Sequence, residues 1–132
     1  MIISYRVDDR RQRVTVALEG AVTGDAFNRT INPLFEAHPE FVEYDFIYNL
    51  SSYTGDVSHE SLAVHSAVYI RCLTTRTAPC DRVIHTVIAT RDRSFGYWAE
   101  VMRCQFPNRL FKLVATAAEA AAFLEAFHGK AA

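Results

Sequence analysis

The chain is poor in most of the residues that advertise chemistry. It holds only three cysteines, Cys72, Cys80 and Cys104, and no two stand in C-x-x-C spacing. An odd count without that spacing argues against both a disulfide framework and a zinc site. None of the five histidines makes an H-x-x-x-H or H-E-x-x-H pattern, so no metal is expected. G-x-G-x-x-G, P-loop and G-x-S-x-G sequences are absent, which removes the common nucleotide signals and the hydrolase elbow. His59 stands beside Ser58, but neighbours along a helix do not face each other, so the pair does not read as base and nucleophile. Charge of one sign is also lacking: 14 Lys and Arg against 15 Asp and Glu leave a net charge of −1. Nothing therefore points to nucleic acid or an anionic membrane. The basic run at Asp8 to Arg13 reads as a solvated hairpin tip. No apolar stretch is long enough to span a bilayer, and MIISYRVDD lacks the layout of a signal peptide. The expectation is a cytoplasmic protein, without cofactor and not an enzyme.

What is present is a core. Half of the 132 residues are apolar, enough for one domain that buries roughly two thirds of its unfolded surface. Ile2 to Val7 and Arg13 to Gly20 are β-rich runs joined by a short polar segment, which predicts an antiparallel hairpin. Thr23 and Asp25 start a helical pattern with Phe27, Ile31, Leu34 and Phe35 on one face, and Pro33 predicts a kink or a division into two short helices. Phe41 to Leu50 reads as a strand; Ile47 on its otherwise polar side suggests cover on both faces. A second helix is expected from Ser58 to Leu73, with Leu62, Ser66, Tyr69, Ile70 and Leu73 inward. Arg82 to Thr90 is the next strand. A third helix follows with Phe95, Trp98, Ala99 and Met102 inward, and its Gly96 suggests close packing against a strand. Arg109 to Thr116 is the last strand, and Thr116 with Glu119 forms a capping box. The final helix places Ala120, Phe123, Leu124 and Phe127 on one face and stops near Gly129. The order ββαβαβαβα predicts an α/β domain over 1–132: a mixed, mostly parallel five-stranded sheet with an antiparallel edge hairpin and four main helices.

In this order the polar residues gather where strands end. Asn49, Ser51, Ser52, Thr54, Asp56 and Ser58 crowd one strand-to-helix junction; Thr90 and Arg91 leave the next strand and Thr116 the last. Ligands of open parallel sheets commonly sit beyond the carboxyl ends of strands. The stretch is therefore a candidate binding rim, although turn and cap chemistry alone also accounts for these residue types. Nine Phe, six Tyr and one Trp exceed what a small sheet needs. They leave open a fully packed core, an apolar pocket or a homodimer face.

The stretches GAVTGDAF, LFEAHPEF, NLSSYTGDVSHESL and FGYWAEVM, in this order of elements, resemble the SpoIIAA-like proteins of the STAS superfamily, named for sulphate transporters and anti-sigma factor antagonists. The resemblance covers Ile2 to Phe127. In the antagonists an Asp-Leu-Ser type sequence ends the strand, and a later Asp-x-Ser carries the serine that a partner kinase phosphorylates. Asn49, Leu50 and Ser51 match the first with Asn in place of Asp; Asp56, Val57 and Ser58 match the second. The resemblance thus implies a STAS-type fold, a protein partner and Ser58 as the phosphorylation candidate. A further likeness to lipid-transfer domains of the CRAL-TRIO type implies a small apolar ligand instead. Two functions stand: a non-enzymatic regulatory or protein-binding module acting through Ser51 to Ser58, or a carrier of a small apolar ligand.

Overall fold

The computed structural model of the chain describes residues 1–76 and 81–129; Cys80 lies outside them. The domain is α/β. Two strands, β1 (Ile2–Asp8) and β2 (Arg13–Gly20), precede helix α1 (Gly24–Ala37) and a 3-10 helix (Pro39–Glu43). Then come β3 (Asp45–Tyr53), α2 (His59–Thr74), β4 (His85–Ala89), α3 (Phe95–Gln105), β5 (Leu110–Val114) and α4 (Ala117–Gly129). The strands form one sheet in the order β1-β2-β3-β4-β5, antiparallel between β1 and β2 and parallel from β2 to β5.

That order never reverses. A right-handed crossover between parallel strands places its helix on a side set by the direction of travel. Three successive steps in one direction therefore send α1, α2 and α3 to the same face. Their buried residues Ile31, Phe35, Val68, Tyr69 and Phe95 join Val14, Val16, Phe46 and Ile88 of the sheet in one cluster. Helix α4 follows the last strand and folds back over the other face, where Ala120 and Leu124 meet Ile47 and Val87. The two-sided cover inferred from Ile47 is thus supplied by α4. The strand-order reversal that opens a crevice at the carboxyl ends of doubly wound sheets is missing, so the rim expected on that ground has no such crevice under it.

Several elements depart from the sequence pattern for physical reasons. Phe41, Val42 and Glu43 belong to the 3-10 helix, and Pro39 at its start is pre-set for a helical turn. Alternation of Val42 and Tyr44 with Glu43 imitates a strand, yet Phe41 and Val42 are both buried in the core. Helix α1 runs unbroken through Pro33; burial of Ile31, Leu34 and Phe35 on both sides of it outweighs one lost backbone bond. Ile70 is 41 % exposed, and α2 turns His65, Val68 and Cys72 inward instead. Gly96 is also exposed, and a Cβ there would touch nothing, so packing against a strand does not explain it. In the capping box Thr116 Oγ1 accepts from Glu119 N, but the Glu119 carboxylate accepts from Ala115 N, one residue earlier than the motif has it.

One ion cluster closes the amino ends of the central strands. Asp45, fully buried, accepts from the backbone N–H of His85 at 2.8 Å, from Arg82, and from His128 Nε2 at 2.8 Å. The cluster ties β3, the start of β4 and the end of α4. His85 itself lies between the rings of Phe123 and Phe127. It is buried, and its Nδ1 has no hydrogen-bond partner among the described residues. Removing one member of a buried ion pair leaves the others uncompensated. Asp45→Ala should lower the unfolding free energy by about 3 to 5 kcal/mol, measured by urea denaturation.

Candidate functional site

The junction after β3 begins with a bulge. Ala17 of β2 pairs with Asn49, whereas Glu19 pairs with Ser52, so β3 carries one extra residue there. The Asn49 side chain stabilises it: Oδ1 accepts from Ser51 N at 3.2 Å and from Ser51 Oγ at 2.8 Å. Before the bulge the even residues Phe46, Tyr48 and Leu50 face α1 to α3; after it, the odd residue Tyr53 does. Asn49 and Ser51 therefore set which way an aromatic side chain points. Ser51 and Ser52 are still strand residues, and β3 ends at Tyr53, three positions beyond the end at Leu50 that the pattern suggests.

Ser58 caps α2. Its Oγ accepts from Ser61 N at 3.1 Å and donates to Ser61 Oγ at 2.9 Å. The start of α1 lies against this cap, because Gly24 has no side chain: a Cβ there would fall 1.9 Å from Ser61 Oγ. Asn28 Nδ2 donates to Ser61 O at 3.1 Å and holds the two helices together. At the neighbouring strand end, Thr90 Oγ1 accepts from Asp92 N and Asp92 Oδ1 from Ser94 N. That second bond holds the Asp92 carboxyl below its ordinary range. Thr90 and exposed Arg91 do stand beside the β3 end, since Asn49 pairs with Ala89. Thr90 is occupied by turn chemistry, and of the expected rim residues only Asp56 and Ser58 border the cavity described next.

Between the sheet and α1, α2 and α3 lies a cavity of about 120 Å³. Its mouth is formed by Thr23, Gly24, Asp56, Val57, Ser58 and Leu62, and its walls are mainly aromatic, among them Phe27, Phe35, Phe95, Phe106 and Tyr53. Of the polar residues that the sequence pattern gathers, Asp56 and Ser58 thus stand at the lip of an apolar pocket, and Asn49, Ser51, Ser52, Thr54, Thr90 and Arg91 do not line it.

Its floor is polar. Arg109, just before β5, is 8 % exposed and lines the cavity. Nη2 donates to the carbonyls of Val42 and Tyr44 at 2.9 and 3.1 Å, Nη1 to Thr86 Oγ1 at 2.8 Å and Nε to the Tyr69 hydroxyl at 3.3 Å. The guanidinium carbon sits over the rings of Phe46 and Tyr69, 5.4 and 5.3 Å from their centroids. No carboxylate of the described residues pairs with it. His65 also lines the pocket, with Nδ1 2.6 Å from Asn32 Oδ1. Nδ1 must carry the proton in that contact, which leaves Nε2 as an acceptor. Burial, with a smaller contribution from the Arg109 charge, pushes His65 down to about 3. Burial likewise raises the Tyr48 phenol.

Sequence reasoning named neither Arg109 nor His65 as a site residue. Arg109 opens an apolar strand and His65 sits mid-helix, and nothing local to either distinguishes a lining group from a surface one. Comparison with family models, with curated proteins and with solved structures finds no match.

Two outcomes follow from this geometry. His65 is neutral when folded and takes up a proton from its ordinary 6.5 downward when unfolded. The unfolded state therefore binds more protons between pH 6.5 and about 3, and stability falls on acidification through that window, by up to about 1.4 kcal/mol per pH unit. In His65→Gln, urea midpoints from pH 7 to pH 4 should fall less than in the parent chain. Gly24→Ala should push α1 from α2 and cost about 1 to 3 kcal/mol, read from the same midpoints.

Proposed function

We propose that this domain is a non-enzymatic binding module for a small, largely apolar molecule, held in the pocket between the sheet and helices α1 to α3. The observation that carries the reading is the 120 Å³ cavity itself, walled by aromatic rings and reached past the Ser58 cap. Cores are otherwise packed to crystal density, and an apolar void sacrifices contacts that a ligand restores. A cavity of roughly this size in a protein core, about 150 Å³, takes up a single benzene ring. The molecule is therefore small, or places only one end inside. One-way strand order, an antiparallel first strand and the Asn49 to Ser58 junction support a STAS-type assignment, and the pocket favours the carrier or sensor branch of it.

Ser58 gives the second reading a specific footing. Its side chain is exposed, stands at the pocket lip and belongs to a helix N-terminus, where backbone N–H groups favour an anion. Phosphate on Ser58 would give up the hydroxyl's donation to Ser61 Oγ and stand near Asp56 and Glu60. On this reading, partner binding at the lip and occupancy of the pocket are alternative uses of one junction.

Toluene provides the test of the pocket. It should raise the thermal midpoint of the chain, and at one hundred times its dissociation constant add about 2.7 kcal/mol. Leu62→Trp, which fills the mouth, should abolish the shift without lowering the midpoint of the free protein by more than a few degrees. Unchanged midpoints at saturating toluene would remove the binding-module reading. For the second reading, Ser58→Ala should cost about 1 kcal/mol as a lost cap, while a partner recovered from cell extract by the parent chain should be lost with Ser58→Glu.

A further inference from the structure

We infer that the pocket is built for an organic anion: a small carboxylate whose apolar body lies among the aromatic rings and whose charged end meets Arg109. The inference rests on the binding-module reading and adds the chemical class of the ligand.

The unpaired charge is the starting point. A guanidinium has five N–H donors, and four of those of Arg109 are engaged, by Val42 O, Tyr44 O, Thr86 Oγ1 and the Tyr69 hydroxyl. All four partners are neutral. A buried charge without a counter-ion is costly, and buried cations are normally found paired. Asp45, fully buried at the amino end of β3, does not serve: its carboxylate is taken by Arg82, His128 and the His85 amide, beside the core that α4 covers. Asp56 lines the same cavity but at its exposed mouth. Carbonyls and ring faces hold the guanidinium in place, and the fifth N–H, on Nη1, has no partner among the described residues.

A second donor lines the same space. Tyr48 faces the cavity from the middle of β3, and its hydroxyl has no hydrogen-bond partner among the described residues. A carboxylate accepts from a guanidinium and from a phenol, and such charge-assisted bonds are the strong ones. Burial raises the Tyr48 phenol, which keeps its proton available for donation. His65 Nε2 also has no hydrogen-bond partner among the described residues, and as a neutral acceptor it suits a ligand hydroxyl or bridging water beside the carboxylate. The cavity, at about 120 Å³, admits one ring or a short chain. The ligand class is accordingly an aromatic or short-chain carboxylic acid, bound as its anion.

The experiment compares acids with neutral molecules of the same shape. Benzoate and hexanoate, against benzyl alcohol and 1-hexanol, are titrated at neutral pH into the parent chain, Tyr48→Phe and Arg109→Met, with dissociation constants from calorimetry and the fold of each variant checked by circular dichroism. The acids should bind at least about tenfold more tightly than the alcohols, the worth of one hydrogen bond to a charged group. Tyr48→Phe should reduce that advantage about threefold while leaving the alcohols unchanged, and Arg109→Met should erase it. Arg109 also braces β3, so if Arg109→Met fails to fold, Tyr48→Phe, which keeps its ring, decides the matter. Alcohols binding as tightly as acids, or an acid preference untouched by Tyr48→Phe, would overturn the anion inference and leave the apolar pocket standing. Failure of all four probes to bind would overturn both.

Discussion

A sheet whose parallel strands are laid down in sequence order, each beside the last, has only one side available for its crossover helices. From that restriction most of the architecture follows. Helices α1, α2 and α3, each a crossover between parallel strands, crowd one face and leave the other to α4. The crowded face must be covered by three helices whose spacing is set by their own contacts, notably the Gly24 to Ser61 approach and the Asn28 bond across it. Where their side chains do not meet, the aromatic residues of the sheet line a space instead of filling it.

Two buried charges stand at the amino ends of the strands, and they are handled differently. On one face Asp45 is answered by Arg82, His128 and a backbone amide, an arrangement that satisfies the carboxylate within the protein. On the other, Arg109 is answered among the described residues by dipoles and ring faces. Carbonyl groups and aromatic faces position a cation well but do not neutralise it. Both charges join elements of the fold, one as a member of an ion cluster and the other through neutral acceptors.

The junction from Asn49 to Ser58 does several local jobs that converge on the same space. Asn49 and Ser51 hold the bulge, the bulge turns Tyr53 inward, and Ser58 caps the helix that walls the pocket. Their concentration in ten residues reflects a sharp change of direction at a cavity mouth. Turn chemistry and site construction are the same set of hydrogen bonds here.

Much of the fold was legible because periodicity is a local property. Strand and helix alternation, the edge hairpin, the inward faces of α1 and α4 and the cap at Ser58 depend on residues within a few positions of one another, and the chain alone determined them. It misled at Phe41 to Glu43, where a 3-10 helix imitates alternation, and at Ile70 and Gly96, whose surroundings are set by other elements. The pocket was decided only in three dimensions. Arg109 reaches carbonyls 67 and 65 residues away and His65 an amide 33 away. Whether a side chain is paired, buried or facing empty space depends on which distant groups the packed helices bring to it, and no local pattern carries that information.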